Sequence, residues 1–265
     1  MDREPSVTRR IVARDGVRIE VLAQGAGPCV VLIPSLGRGA TDFDDLAGRL
    51  AAAGYRVLRP QPRGIGDSAG PMQGITLHDL ARDVANVIED DGGVPAVVAG
   101  HAFGNFVART TAADFPGLVR CVVLLAATHV WPVPPAVRES IEKSHDLSLP
   151  DGVRLRHLQH AFFAPGNDAR VWLDGWHEDV MRAERAATEA TPKEQWWAAG
   201  QAPILDVQPG ADVMTPPESA NRYRDEFGAA RVTIAVVPGA AGHALLPEQP
   251  VALAEVLLAQ LKALG

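Results

Sequence analysis

The chain has 265 residues, 47% of them hydrophobic and 22% charged, a balance typical of a globular protein. A formal net charge of −7 argues against a basic face that binds nucleic-acid phosphates. Segment 1–30 is polar and charged rather than signal-like, and no apolar run reaches the length that crosses a membrane. We therefore expect a cytoplasmic protein with neither nucleic acid nor membrane as partner, and its oligomeric state stays open.

Short apolar runs alternate with amphipathic helical patterns along the chain. The predicted strands, in chain order, are residues 17–22, 30–33, 57–58, 97–98, 122–125, 204–207 and 232–237. The predicted helices are residues 42–53, 76–90, 103–115, 217–227 and 248–264. Segment 17–22 alternates polar and apolar residues, which predicts an antiparallel edge strand that opens the sheet. The remaining order predicts an α/β fold with a doubly wound, mostly parallel sheet.

One region interrupts this alternation, because no strand is predicted between residues 130 and 202. It contains all five tryptophans, which are Trp131, Trp172, Trp176, Trp196 and Trp197. A structureless loop of this length is improbable in a compact domain, so we predict a helical cap at 130–202, inserted into a core formed by 1–129 and 203–265. Each aromatic residue either fills the core of the cap or faces a ligand, and for the group we favour at least two that face a ligand.

The turn after the strand at 97–98 has the sequence Gly100-His101-Ala102-Phe103-Gly104. This is the layout of a nucleophile elbow, in which a residue between two glycines points its side chain into the active site. Glycine is required on both sides because strand and helix backbones pass very close there. The central residue is Ala102, whose methyl group cannot attack a carbonyl. The sequence thus predicts an elbow without a nucleophile.

A glycine-containing loop after an early strand predicts the oxyanion donors of the site. The loop Pro34–Gly39 follows an early strand, and in an acyl-transfer site such a loop donates one backbone N–H to the oxyanion. The residue after the elbow position donates the second, so Leu36 and Phe103 are the predicted donors.

An aspartate and a histidine follow late strands of the predicted sheet. Asp212 comes after the strand at 204–207, and His243 lies in a loop of small residues after the strand at 232–237. Catalytic groups of open α/β sheets gather at the carboxyl ends of strands. Asp212 is therefore predicted to orient the imidazole of His243, which leaves Nε2 as general base and acid.

In these motifs and their order, the chain from Val17 to Leu264 resembles the α/β-hydrolase superfamily, in its cap-bearing branch. Arg63-Gly64-Ile65-Gly66-Asp67-Ser68 also resembles the glycine-rich turn of that family after its fourth strand. The resemblance implies a hydrolase with a catalytic triad, an oxyanion hole and a cap. Two departures are plain. Ala102 stands where the family has serine, aspartate or cysteine, and Pro34-Ser35 stands where many members have His-Gly.

The cleft between cap and sheet is the expected substrate pocket. We expect it to be lined by polar and aromatic side chains near the predicted loops, namely Arg38, His129, Phe163, Trp172, Trp176 and Trp197. His157 and His160 are three residues apart, but no carboxylate or cysteine set accompanies them, so no metal site is predicted. No organic cofactor is expected either. The expected partner is a small apolar substrate or ligand.

Three hypotheses account for Ala102. The chain is a disabled form of an enzyme that has serine at this position; or alanine is native and His243 activates water or removes a substrate proton directly; or the chain is a non-catalytic protein that binds a small ligand on a hydrolase scaffold. The His243–Asp212 pair favours an enzyme over a binding protein, because pure binding does not need an oriented imidazole. The substrate of the predicted enzyme is a small apolar ester, lactone or ketone.

Overall fold

A computed structural model describes residues 6–127, 133–215 and 219–263 of the chain. Within them the strands are β1 (Thr8–Arg14), β2 (Val17–Gln24), β3 (Cys29–Ile33), β4 (Arg56–Pro60), β5 (Ala96–His101), β6 (Val119–Leu125), β7 (Ile204–Pro209) and β8 (Val232–Val237). The α-helices among these residues are α1 (Asp44–Ala52), α2 (Leu77–Asp90), α3 (Gly104–Asp114), α4 (Pro135–Ser144), α5 (Asp151–Ala161), α6 (Glu178–Ala190), α7 (Arg222–Phe227), α8 (Leu245–Glu248) and α9 (Pro250–Ala263).

The strands form an eight-stranded sheet in the order β1-β2-β4-β3-β5-β6-β7-β8. β1 pairs antiparallel with β2, and β2 antiparallel with β4, whereas β4, β3, β5 and β6 run parallel to one another. Every residue of β5 is buried, as expected for a central strand that is covered on both faces. The predicted doubly wound, mostly parallel α/β fold is confirmed.

The edge of the sheet differs from the prediction. Segment 17–22 lies within β2, which is paired on both sides, and the edge strand is β1. Along β1 only Val12 is buried, and its arginines lie toward solvent, so the hydrophobic alternation that marks a strand is absent there. Such a charged edge strand is poorly suited to pairing with a further chain. The prediction that segment 17–22 forms the edge was wrong for this reason.

The described chain divides into two compact units. The first comprises Met1–Leu125 and His177–Leu205, and the second comprises Ala126–Trp176 and Asp206–Gly265. β7 begins in the first unit, at Ile204 and Leu205, and continues in the second beside β8. The predicted boundaries of core and cap, at 129/130 and 202/203, stay a prediction.

Between β6 and β7 the described residues contain helices and no strand, as the sequence indicates. In the second unit α4 and α5 pack together, and a core of apolar side chains gathers around Leu158, Phe162 and Trp172. In the first unit α6 contributes Ala183 and Ala187 to a small apolar cluster with Ile75. Within the described part of the chain, no helix is long and apolar enough to cross a membrane.

Both cysteines are free thiols with little access to solvent. Cys121 is buried and Cys29 is partly buried. Burial raises the pKa of Cys29 to about 12 and that of Cys121 to about 11. Since the thiolate is the nucleophilic form, neither cysteine is a reactive group at neutral pH.

Candidate active site

The turn between β5 and α3 has the geometry of a nucleophile elbow. A Cβ atom added to Gly100 would lie 2.1 Å from the carbonyl oxygen of Gly104, and one added to Gly104 would lie 2.4 Å from that of Ile33. Neither position therefore accepts a side chain. Ala102 has a φ of 47°, in the left-handed region that costs a non-glycine residue about 1–2 kcal/mol. The strained backbone that presents a nucleophile is retained around a methyl group.

Hydrogen bonds of its backbone hold Ala102 in place. Its N–H donates to the carbonyl oxygen of Leu125 at 3.0 Å, across to the end of β6. Its carbonyl oxygen accepts from the N–H of Asn105 at 3.1 Å and from the Asn105 side-chain amide. Ala102 itself is 8% exposed, and His101 before it is completely buried. Hydrogen bonds to β6 and to α3 thus hold the turn that follows β5.

The loop after β3 lies against the start of α3. A Cβ atom at Gly104 would also lie 2.6 Å from the carbonyl oxygen of Pro34, so these two backbones are in close contact. Leu36 and Phe103, the predicted oxyanion donors, lie on these two segments. Among the described residues, the structure records no acceptor for the backbone N–H of either one. Two unengaged N–H groups on adjoining segments are what an oxyanion site requires. Their role in catalysis stays a prediction.

Gly37 joins that loop to helix α6. Its N–H donates to Oε2 of Glu184 at 2.7 Å, and its carbonyl oxygen accepts from the N–H of His177 at 2.9 Å. A Cβ atom at Gly37, where φ is 63°, would lie 2.9 Å from Cβ of Met181. Glycine is thus needed for both the backbone conformation and the close approach of α6. These contacts fix the loop that carries Leu36.

Glu184 was not predicted from the sequence. It lies on the buried face of α6 with Val180, Met181 and Ala187, and its side chain is almost completely buried. Burial raises its pKa to about 8, although the Gly37 N–H bond opposes this shift. The sequence carries one signal for it, a single acidic residue at helical spacing within an apolar stripe.

In the second unit the predicted histidine and aspartate are in contact. Nδ1 of His243 lies 2.9 Å from Oδ2 of Asp212, and both side chains are buried. The other carboxylate oxygen of Asp212 accepts from the N–H of Met214 at 2.8 Å. Burial alone would raise the pKa of Asp212, but the charge of His243 and these hydrogen bonds hold that pKa below its ordinary value. Asp212 is therefore ionised at neutral pH and accepts a hydrogen bond from Nδ1–H.

An aromatic group packs beside this pair. The ring of Phe162 lies 5.8 Å from that of His243 and 5.5 Å from that of Trp172, centroid to centroid. The N–H of Ala244 donates to the carbonyl oxygen of Phe162 at 2.9 Å. Gly242, on the other side of His243, donates its N–H to Glu248 at 2.7 Å. The histidine loop is therefore fixed by hydrogen bonds on both sides of the ring.

The predicted pocket residues fall into separate environments. Phe163 and Trp172 are buried in the apolar core of the second unit, and Trp176 packs against that core. Trp197 is buried in the first unit, where the guanidinium group of Arg109 lies 4.6 Å from its ring centroid. Packing within each unit accounts for their burial, and contact with a ligand stays a prediction.

The two polar residues predicted for the pocket have different outcomes. Arg38 is buried and forms a bidentate ion pair with Asp42, at 2.7 and 2.8 Å. Its contact with a substrate stays a prediction. His129 lies outside the described residues. No group of three or more histidine, cysteine, aspartate or glutamate side chains is placed to hold a metal within the described ranges.

Known proteins resemble this chain in sequence and in structure. Epoxide hydrolase A of Mycobacterium tuberculosis (strain ATCC 25618 / H37Rv) is 35% identical over 104 residues, which are 38% of this chain and 32% of that protein. Epoxide hydrolase B of the same strain is 29% identical over 207 residues, or 70% of this chain and 58% of that protein. The chain thus matches less than two thirds of the length of either relative.

Solved structures share the fold. An esterase from Exiguobacterium antarcticum superposes with a TM-score of 0.76 at 19% identity, covering 95% of this chain and 98% of that one. The sequence profile of the alpha/beta hydrolase family matches residues 30–256, a span that contains the elbow, the loop after β3, Asp212 and His243. This chain therefore belongs to the alpha/beta hydrolase family.

Proposed function

We propose that the chain is a cofactor-independent enzyme of the hydrolase type, acting on a small apolar ester, lactone or ketone without forming a covalent intermediate at residue 102. The observation that carries this proposal is the contact of His243 with Asp212 at 2.9 Å, with both side chains buried. The sequence relatives reported above include epoxide hydrolases, whose names support a small substrate.

The proton transfer follows from the state of the pair. An ionised Asp212 has no proton to donate, so Nδ1 of His243 carries its proton toward the carboxylate. Nε2 of the neutral ring then carries the basic lone pair and serves as general base. In hydrolysis it takes a proton from water as the water oxygen adds to the substrate carbonyl, and it returns that proton to the leaving oxygen.

Negative charge on the substrate oxygen needs hydrogen-bond donors. The backbone N–H groups of Leu36 and Phe103 are the donors that we propose, since neither is engaged by a described residue. A donor of this kind lowers the barrier by ~3 kcal/mol. With a ketone as substrate the same groups would stabilise an enolate, after His243 removes the neighbouring proton.

A second candidate function is non-catalytic binding of a small apolar ligand, and Ala102 is the observation that favours it. Turnover separates the two. We expect the chain to convert members of a panel of short-chain p-nitrophenyl esters and small lactones, and His243→Ala to abolish that conversion while the protein stays folded. Binding of panel members without any turnover, or equal turnover by His243→Ala, would contradict the enzymatic proposal.

A further inference from the structure

A small cavity lies within the first unit, beside the segments that carry the predicted oxyanion donors. Its volume is about 40 Å³. Since one water needs about 10–15 Å³ by this measure, the space suits a group of about three heavy atoms. Its lining is mostly apolar and includes Ile33, Pro34, Leu80, Val84, Phe103 and Val107. Such a space accepts a compact apolar group.

One lining residue, Glu184, has an oxygen available for a ligand. Its Oε2 accepts from the N–H of Gly37 at 2.7 Å. For Oε1 the structure records no hydrogen-bond partner among residues 6–127, 133–215 and 219–263. The side chain is nevertheless about nine-tenths or more buried, since the residue is 5% exposed. A carboxyl group so largely removed from water costs free energy unless hydrogen-bond partners satisfy it.

Among the residues that the structure describes, none provides a counter-ion for Glu184 at this cavity. Arg63, after β4, also lines the space, but Asp83 on α2 holds its guanidinium group with two hydrogen bonds of 2.6 and 2.9 Å. The lining residues of β3 and α3 are uncharged. Without a neighbouring cation, the carboxyl group keeps its proton, in agreement with the raised pKa of about 8. A neutral carboxyl group donates one hydrogen bond.

We propose that the Glu184 carboxyl group donates a hydrogen bond to an uncharged oxygen of a ligand whose compact apolar group fills this cavity. Carbonyl, ether and hydroxyl oxygens qualify, because each accepts a hydrogen bond without bringing a charge into an apolar space. A carboxylate ligand does not qualify, since Arg63, the one cation among the described lining residues, is paired with Asp83. The inference concerns the first unit alone and applies equally to an enzyme and to a binding protein.

Acetone and 2-methylpropene form a matched pair of probes, because they have nearly the same shape and only acetone carries an oxygen. Binding is followed by NMR of the labelled methyl groups of Ile33, Leu80, Val84 and Val107. At pH 6 we expect both probes to shift these signals. Glu184→Leu should weaken acetone binding about fivefold, which is the usual effect of one hydrogen bond, and should leave 2-methylpropene binding as tight or tighter.

The proton of Glu184 is tested with a second variant, which preserves the Gly37 contact. In Glu184→Gln the amide oxygen still accepts from Gly37, and the amide N–H₂ donates at every pH. Acetone affinity of the unmodified chain should fall about fivefold between pH 6 and pH 9.5, while that of Glu184→Gln stays constant. The exposed Glu189→Gln, on the same helix, should behave as the unmodified chain.

Each outcome bears on the proposal. Loss of acetone binding in Glu184→Leu, together with a pH dependence that Glu184→Gln removes, supports it. The proposal is overturned if neither probe binds to the folded chain. It is also overturned if the acetone affinity of the unmodified chain is the same at pH 6 and pH 9.5. The ester and lactone panel tests turnover separately. The proposed enzymatic function and the proposed ligand site at Glu184 can therefore fail independently of each other.

Discussion

Nδ1 of His243 lies 2.9 Å from Oδ2 of Asp212, in a position where neither side chain is exposed to solvent. The second oxygen of Asp212 is held by the N–H of Met214, so the carboxylate is oriented from two directions. A buried ionised carboxylate is stable only with such partners. The pair therefore fixes both the orientation and the tautomer of the ring, which distinguishes it from a histidine that merely fills space.

Replacing Asp212 with asparagine tests whether this orientation serves catalysis. The amide keeps the shape of the side chain but allows the ring to adopt the other tautomer, with its proton on Nε2. We expect turnover to fall on the order of 10³-fold. The measurement is the rate on ester or lactone substrates, with thermal unfolding as a check on the fold. Asp225→Asn, on an exposed position of α7, is the matched control, and an equal rate loss in both variants would contradict the assigned role.

Replacing Ala102 with serine tests whether the elbow is able to present a nucleophile to a substrate. The backbone already has the required conformation, with a φ of 47°, so the hydroxyl group adds no further strain. We expect a burst of p-nitrophenol equivalent to the enzyme concentration, from an acyl-enzyme that the chain with alanine does not form. Ala199→Ser is the control, because Ala199 has a similar φ of 52° in an unrelated turn. A burst from Ala199→Ser as well would show that the signal does not report on the elbow.

The elbow and the His243–Asp212 pair could be predicted because their requirements are local or follow from chain order. Gly100 and Gly104 are fixed by contacts within a few residues of each other and with β3. Asp212 and His243 each follow a strand, and strand ends are visible in the sequence. Periodicity also located most strands and helices, since the sheet is buried on both faces.

Glu184 and the edge strand could not be predicted in the same way. The environment of Glu184 depends on α6 packing against Gly37, which lies far away in the sequence. The surrounding residues place Glu184 within an apolar stripe, but they do not show what its carboxyl group contacts. β1 escaped detection because a solvent-exposed edge strand has almost no apolar face, so its pattern resembles that of a charged terminus. In both cases tertiary structure decides what the local sequence leaves open.

Gly100→Ala should destabilise the fold strongly. The added methyl group would lie 2.1 Å from the carbonyl oxygen of Gly104, and neither backbone is able to move without disturbing β5 or α3. We expect a loss of about 3 kcal/mol or more in the free energy of unfolding, measured by urea denaturation. Gly152→Ala, in the first turn of α5 with no atom within 4 Å of the new methyl group, should be neutral or stabilise by about 0.5–1 kcal/mol. Similar effects at the two sites would contradict the close approach at the elbow.

Arg63→Met should lower the free energy of unfolding, because it leaves the buried carboxylate of Asp83 without its partner. Arg63 and Asp83 are both buried and form two hydrogen bonds of 2.6 and 2.9 Å. Burial raises the pKa of Asp83 in spite of Arg63, so the carboxylate depends on its partner. We expect the single variant to lose about 3–5 kcal/mol in the free energy of unfolding. The double variant Arg63→Met, Asp83→Leu should recover part of this loss, because it removes both charges together; a larger loss in the double variant would argue against a compensated pair.

Glu184→Gln should change how stability depends on pH. The carboxyl pKa rises from 4.5 to about 8 in the folded chain, so above pH 4.5 the unfolded state ionises and the folded state does not. Ionisation then favours unfolding: the contribution of Glu184 is complete below pH 4.5, is lost as the pH rises to about 8, and is constant beyond that value. Because each pKa unit is worth about 1.4 kcal/mol, stability relative to Glu184→Gln should fall on the order of 4 kcal/mol between pH 5 and pH 9. Denaturant unfolding at the two pH values, with Glu189→Gln as control, measures this difference, and parallel pH profiles for the chain and Glu184→Gln would show that the carboxyl group ionises as freely as in water.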